Sequence, residues 1–510
     1  MKHCSKLAAA VVGFSVPLAS LGLGEVTIVP APRKCVCTPG QYELPATSVV
    51  PSLLSFSSDP GLPQEGYRIS VTTSGISVAS SDAAGTYYAL KTLEQMGDVE
   101  NGKLVFPLAE IEDWPSYRWR GMHFDDCRHF FGKQTLRRTL DLMAAHKYNV
   151  LSWHLTEDQG WRLEVPQYPE LVKYGAVRPE SPLHGAKSRD VAGVRVMAMD
   201  GQPYGPFYYS EADVREIVAY AAERHIEIVP GIDMPGHIAA MLAAYPEFAC
   251  RPENLSHRHP RCVWGIEKEV LCLGNESALK FVEEVLTYVA KVFPSTYINI
   301  LGDECPTERW AECPKCRALM EREGLKDVKE LQPWFTRRMV RFVEGLGKRA
   351  LAADEALEGE NIPKSLVGLS WRGAEAGVSG VEGVKRGHDM VMIPHDETYF
   401  YYSQGLQPEK DPFQYGSGAV LTLEKTYRFD PSRGVPSESR SHVLGGMGCN
   451  FSEFTWNEYD LEWKMWPRGC AMAEVLWLGD DRPGYADFFE RMTTHRNRLV
   501  ARGINCAPLE

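Results

Sequence analysis

Tyr297-Ile-Asn-Ile-Leu-Gly-Asp-Glu304 is the stretch from which the fold can be read. Its first five residues form a short apolar run, the pattern of a buried strand. Gly302 follows and lets the backbone come close to a ligand. Two carboxylates, Asp303 and Glu304, then stand where the strand ends. Working outward, similar runs occur near residues 122–125, 150–154, 226–232, 350–353, 367–371, 390–393 and 443–446. Helical periodicity fills the gaps, at 133–146, 211–224, 276–293, 332–348 and 374–386, and a last pair of helices is expected at 463–476 and 485–501. Strand then helix, eight times over residues 116–510, predicts a (β/α)8 barrel in the α/β class. A doubly wound sheet is the alternative, but no glycine-rich phosphate turn follows the first strand.

The polar residues support the barrel. Strand ends carry Asp125 and Arg128, His154 and Asp158, Asp233 and His237, Asp303 and Glu304, Asp354 and Glu355, and Trp371. Any one of these alone reads as a cap or a solvated loop residue. In a barrel they converge on one face, where active sites lie.

Ahead of the barrel, residues 25–115 alternate as strands at Tyr67-Arg-Ile-Ser-Val and Ile76-Ser-Val. They continue into a helix pattern around Tyr87, Tyr88, Leu90 and Leu93, giving a small α+β module that ends near Trp114-Pro115. Residues 1–24 differ again: Lys2, His3 and Lys6 precede a charge-free run over residues 7–23. That run is short, interrupted by Pro17 and rich in Ala, Gly and Ser, so it is expected to be a cleaved export signal rather than a membrane anchor. The mature chain is then expected to be periplasmic or extracellular, with no membrane association.

The 510 residues carry 55 Lys plus Arg against 67 Asp plus Glu, a formal net charge of −12. Such a balance argues against nucleic acid and anionic membranes as partners. Thirteen cysteines become an even number if Cys4 leaves with the signal, which permits disulfides in an exported chain. Near neighbours are Cys35 with Cys37, Cys250 with Cys262, and Cys313 with Cys316. The last pair reads CPKC, but a lone CxxC lacks the second pair that zinc normally needs, so no metal is expected. His257 and His259 lie in a loop, and there is neither His-Glu-x-x-His nor Gly-x-Ser-x-Gly, which disfavours a metallohydrolase or a serine hydrolase.

Asp303-Glu304 at a barrel mouth is a candidate carboxylate pair for glycoside cleavage. Asp354-Glu355 also follows a strand, and spacing does not choose between them. Arg128 is suited to sugar hydroxyls, His237 to tuning a carboxylate, and Trp371 and Tyr399 to stacking on a sugar.

Several longer motifs resemble glycoside hydrolase family 20, the β-N-acetylhexosaminidases. They are Arg120-Gly-Met-His-Phe-Asp-Asp-Cys-Arg-His-Phe-Phe, Trp153-His-Leu-Thr-Glu-Asp-Gln-Gly-Trp-Arg, Ile232-Asp-Met-Pro-Gly-His, Leu301-Gly-Asp-Glu and Trp466-Pro-Arg-Gly-Cys-Ala-Met-Ala-Glu, in the family's order. Glu65-Gly-Tyr and Gly85-Thr-Tyr-Tyr-Ala-Leu-Lys-Thr-Leu resemble its accessory domain. The resemblance breaks the tie in favour of Asp303-Glu304. It implies that Glu304 protonates the leaving oxygen and that the substrate's own 2-acetamido oxygen attacks C1 while Asp303 orients it. No cofactor is implied. Tyr399 would bind the acetamido carbonyl, with Arg128 and Glu453 on sugar hydroxyls. Trp371, Phe451 and Asp354 would complete the binding site. His237, Glu157, Asp158 and His154 would support the acid. The substrate would be a glycan with a terminal N-acetylhexosamine, cleaved from its end.

Departures bear on specificity. The family's Gly-Trp-Asp-Glu reads Ala352-Ala353-Asp354-Glu355, removing a tryptophan from the acetamido pocket. Its Trp-x-Glu reads Phe451-Ser452-Glu453, and its Tyr-x-Asp reads Tyr399-Phe400-Tyr401. The lost Asp motivates the expectation that a 6-sulfated sugar is better tolerated. Removal of a disaccharide, or sugar binding without turnover, are the other readings.

Overall fold

The computed structural model describes residues 26–509 apart from 46–52, 188, 192–193, 374–378, 407–410 and 412–418. The expected signal therefore lies outside the described residues, as does the first part of the helix expected at 374–386.

Eight parallel strands close into a barrel: β1 (Trp119–Asp125), β2 (Val150–Glu157), β3 (Glu227–Ile232), β4 (Tyr297–Asn299), β5 (Arg349–Ala353), β6 (Val367–Ser370), β7 (Met390–Met392) and β8 (Val443–Asn450). Closure comes from β8 pairing with β1, with Gly446 opposite Arg120 and Asn450 opposite Phe124. All of β1, β2 and β8 is buried, because helices cover the outside while side chains fill the inside. The inner filling includes Trp119, Val150, Val229, Leu351, Val367 and Val391. These bulky apolar groups make the lower barrel a packed core rather than a pore, leaving the upper end for chemistry.

The outer ring begins with α1 (Gly132–Ala145), α2 (Glu211–Ala222), α3 (Glu276–Val292) and α4 (Leu331–Gly345). α2 starts on a Ser210–Asp213 capping box, and α3 on an Asn275 side chain that accepts from the Ser277 N–H. After β5 the chain makes only a short 3-10 turn, Asp354–Leu357. α5 (Gly380–Lys385) and α6 (Leu423–Tyr427) are also short, and α7 (Arg468–Leu478) is wholly buried. One long helix was expected at 463–476. Two are found instead, Glu458–Met465 and α7, because Pro467 cannot donate and drives Trp466 into an extended conformation. α8 (Tyr485–Ala501) closes the ring.

In the preceding module the strand order is Lys34–Pro45, Lys103–Asp113, Tyr67–Thr72, Gly75–Ser80 and Ser55–Ser58, with the helix Ala83–Met96 packed on it. Alternate burial along Tyr67–Thr72 shows one face turned to that helix and one to solvent. Asp113, at the end of its strand, joins module to barrel. It accepts from Lys147 Nζ at 3.0 Å, Tyr67 Oη at 2.6 Å and Trp477 Nε1 at 2.8 Å, all of them buried. Removing one partner of such a buried pair costs about 3–5 kcal/mol, so this junction contributes to stability.

Cys313 and Cys316, neighbours in sequence, belong to one group of four with Cys250 and Cys272, which does not include Cys262. Cys250 lies beside Cys316, with sulfurs 3.7 Å apart, and Cys272 lies 3.7 Å from Cys313. Cys35 and Cys37 sit side by side on one strand with sulfurs 3.9 Å apart, well beyond bonding distance. Among the described residues no disulfide is present, and no helix is long and apolar enough to cross a membrane.

Candidate active site

The upper end of the barrel opens into one cavity. Its polar wall holds Arg128, Asp303, Glu304 and Glu453, and its aromatic wall Trp371, Tyr399, Tyr401 and Phe451. Ala353, Leu369, Ile393, Met447 and Cys449 line it with apolar surface. The chain reaches the two carboxylates through a strained turn. Leu301, Gly302 and Glu304 all have positive φ, at 50°, 85° and 46°. Positive φ costs a non-glycine residue energy and collects at functional sites. Gln332 on α4 holds this turn by donating to the Gly302 carbonyl at 2.6 Å.

Asp303 sits against the cavity with Oδ1 shut off from solvent and unpaired among the described residues. Burial raises its carboxyl above the usual range; the His237 charge opposes this, while Glu304 and Glu157 add to it. A buried acceptor with no protein donor is costly unless a ligand supplies one.

His237 comes from the turn after β3 and has φ of 50°. Its Nδ1 lies 2.9 Å from Glu157 and donates to Asp158 at 3.2 Å, and its Nε2 lies 3.5 Å from Glu304. Burial pulls its pKa down, but the Glu157 charge and hydrogen bonds with Asp158, Glu157 and Glu304 outweigh this and hold it well above the usual value. It is therefore an imidazolium bridging three carboxylates. His154 differs: burial drives its pKa well below the ordinary value, and its Nε2 lies 3.1 Å from Asp233. Burial, with the charges of Asp303 and Glu157, pushes the Asp233 carboxyl well up.

Arg128 is clamped by its neighbours. It donates to Asp125 at 3.1 Å and to Gln159 at 3.2 Å, lies 3.2 Å from Glu157 and 3.8 Å from Glu453, and covers Phe451 at 5.8 Å. Tyr399 and Phe451 pack with centroids 4.9 Å apart, and Tyr401 stands 6.0 Å from Tyr399.

Of the residues expected at the site, Glu304, Asp303, Arg128, Trp371, Tyr399, Glu453 and Phe451 line this cavity. His237, Glu157, Asp158 and His154 form the layer behind it. Asp354 does not join them. It is fully buried and accepts from Arg372 Nε at 2.7 Å, because the 3-10 turn that begins there swings it away from the opening. Its neighbour Glu355 is also outside the cavity lining and accepts from Trp371 Nε1 at 3.0 Å. Burial first, then the charges of Asp303 and Asp354, push Glu355 up to about 8, so it is a neutral carboxyl near pH 7. Sequence reasoning missed His123 and Asn299, which also line the cavity. Both are polar residues at buried positions inside strands, where the flanking apolar run gives no signal to mark them.

A parallel barrel with two adjacent carboxylates, an unpaired buried acceptor and aromatic walls in one cavity is a site built for glycoside cleavage. The comparisons with known proteins agree. Residues 117–480 match the model of the glycosyl hydrolase family 20 catalytic domain, and residues 51–114 match domain 2 of that family. The chain belongs to glycoside hydrolase family 20. It is 36% identical over 453 residues to a β-hexosaminidase of Porphyromonas gingivalis, covering 87% of this chain but only 55% of that protein. A β-hexosaminidase of Akkermansia muciniphila is 33% identical over 451 residues, 88% of this chain and 87% of its own length. Among solved structures, the exo β-N-acetylglucosaminidase of Vibrio harveyi in complex with N-acetylglucosamine superposes with a TM-score of 0.83 at 27% identity. That match covers 97% of this chain and 80% of the other. The β-N-acetylhexosaminidase of Bacteroides fragilis gives 0.79 at 28% identity, covering 95% and 98%.

Proposed function

We propose that the protein is an exo-acting, retaining β-N-acetylhexosaminidase that uses the substrate's acetamido group as nucleophile. The observation that carries this reading is Asp303 Oδ1, buried and unpaired in the cavity that Glu304 also lines. It suits the acetamido N–H. Asp303 accepts that hydrogen and steadies the positive charge that develops on nitrogen as the acetamido oxygen bonds to C1. Glu304 gives its proton to the departing glycosidic oxygen. The charged His237 beside it steadies the carboxylate left behind. Glu304 then takes a proton from the water that opens the cyclic intermediate, so the sugar leaves with its original anomeric configuration. An intramolecular nucleophile avoids the entropy of capturing a separate one.

Tyr399 is assigned to the acetamido carbonyl, Trp371 to the face of the pyranose or its acetamido group, and Arg128 with Glu453 to the outer hydroxyls. Ala353, Leu369 and Ile393 give the acetamido methyl an apolar seat. At the far end, Tyr401 stands where the family has an aspartate, yet Glu453 remains and Arg128 is committed to carboxylates. Those charges favour a neutral sugar over a sulfated one, and hydrolysis of plain against 6-sulfated aryl GlcNAc tests it. Export is part of the same proposal, supported by the charge-free run at residues 7–23. Its natural substrate is then a glycan met outside the cytoplasm.

The deciding experiment is hydrolysis of aryl β-GlcNAc and β-GalNAc by wild type and Glu304→Gln. Turnover by wild type and a loss of at least a thousandfold in kcat for the variant, with KM little changed, are expected. Wild type inactive on both sugars, or an active variant, overturns the reading.

A further inference from the structure

The four cysteines that regroup in the fold come from three separate segments. Cys250 and Cys272 follow Ala249 and Leu271, which pair as an antiparallel bridge. Cys313 and Cys316 straddle the start of the helix Pro314–Glu323. Cys272, Cys313 and Cys316 are buried and Cys250 half-buried. All four sulfurs lie within 4.8 Å of one another. The separations are 3.7 Å for Cys250–Cys316, 3.7 Å for Cys272–Cys313 and 3.8 Å for Cys272–Cys316.

These distances identify the group. Two disulfides would need sulfur pairs about 2.05 Å apart. A tetrahedron of sulfurs around zinc, with bonds of about 2.3 Å, sets every pair about 3.8 Å apart. The surroundings also fit an anionic metal–thiolate centre. The Gly274 N–H is directed at the sulfurs of Cys272 and Cys316. Gly274 itself must be glycine, because a Cβ there would lie 2.1 Å from the Lys315 carbonyl oxygen. Its backbone thus packs directly on the turn between Cys313 and Cys316. The helix beginning at Pro314 adds the positive end of its dipole. The second cysteine pair that the CPKC motif lacked in sequence is Cys250 and Cys272.

We infer that Cys250, Cys272, Cys313 and Cys316 bind one structural zinc ion as a closed tetrahedral site. Each thiol releases its proton as its sulfur bonds to the metal, and no bond changes otherwise. With four protein ligands and no open position, the ion is not a Lewis acid for the sugar.

Its role follows from what it joins. Leu271, next to Cys272, donates its N–H to the Pro235 carbonyl at 3.0 Å, two residues before His237. Trp310 donates to the Leu271 carbonyl at 2.8 Å, from the segment linking Glu304 to Cys313. A Cβ on Gly236 would meet Cys305 at 3.2 Å, so the two turns are in close contact. The zinc site ties the loop carrying His237 to the loop carrying Glu304.

The test is elemental analysis of the full-length protein purified from zinc-supplied cells, with thiol alkylation of the native and unfolded protein. About one zinc per chain is expected, with these four cysteines protected until the fold is lost. Growth in cobalt should give the visible absorption of tetrahedral cobalt thiolate. Cys316→Ser should lose the metal; if it does not fold, the wild-type zinc content and alkylation pattern still decide. Wild-type protein with less than about a tenth of a zinc per chain overturns the inference. So do peptides showing these cysteines joined as disulfides, or native alkylation as fast as that of exposed Cys35.

Discussion

Replacing His237 by glutamine removes a positive charge that faces Glu304, while keeping a polar side chain of similar reach. The pair is 3.5 Å apart. At an effective dielectric near 20, unit charges at that distance attract by about 5 kcal/mol. The Glu304 side chain is 40% exposed, so solvent screening reduces this by half or more. About 2 kcal/mol of support for the ionised acid remains, or roughly a thirtyfold loss of kcat. A second effect falls on Asp303. Burial already raises its carboxyl, and His237 is the charge that opposes the rise. Without it, Asp303 stays protonated to higher pH, and the acid limb of kcat/KM moves upward. The assay is kcat and KM for aryl β-GlcNAc from about pH 4 to pH 9, with circular dichroism to confirm folding. A kcat within twofold of wild type and an unmoved acid limb would refute the electrostatic role of His237.

Glu355→Gln tests the rival carboxylate pair: a group already neutral near pH 7 is replaced by an isosteric amide that still accepts from Trp371, so activity should fall by no more than about threefold. A collapse of kcat would transfer the catalytic role to Asp354-Glu355. Ala353 leaves the cavity wall open where the family carries tryptophan, so N-propionyl aryl glucosaminide should be cleaved within about tenfold of the N-acetyl substrate, and Ala353→Trp should widen that gap. Equal discrimination by both proteins would show that this wall does not set acyl size. Stability should decline on acidification, because burial pushes His123 and His146 down to about 4 in the folded chain. Their folded pKa values lie below the unfolded value near 6.5, so the unfolded chain takes up more protons as pH falls from there to about 4, costing about 3 kcal/mol per histidine. Melting temperature measured across that window should fall with pH, and His146→Gln should lessen the slope; parallel curves for the two proteins would contradict the assignment.

The barrel was legible because most strands are short apolar runs stopped by a polar group, and those stops mark the functional face. Asp303, Glu304 and Arg128 could be found this way since all three lie just past a strand end. His123 and Asn299 could not, because they sit inside strands whose neighbours are apolar, and a polar residue there looks like noise until the barrel closes. Asp354 was misplaced for a local reason. It follows its strand as Asp303 does, but a 3-10 turn rather than a left-handed one carries it away from the mouth. The break at Trp466-Pro467 was written in the proline and overlooked in favour of helical periodicity. The cysteine cluster was beyond linear reading, since its ligands are brought together only by tertiary folding. Choosing between the two acid pairs needed the family resemblance. In the structure Asp303 and Glu304 line the cavity, and Asp354 and Glu355 do not.

The central claim is that the acetamido oxygen is the nucleophile. It is tested most directly by the kcat of wild type on aryl β-glucosaminides whose N-acyl group carries zero, one, two or three fluorines. Each fluorine weakens the oxygen as a nucleophile while changing the bulk of the group little. The account predicts a steep, stepwise fall in kcat along the series. A flat series, with the trifluoroacetyl substrate turned over as fast as the acetyl one, would contradict it.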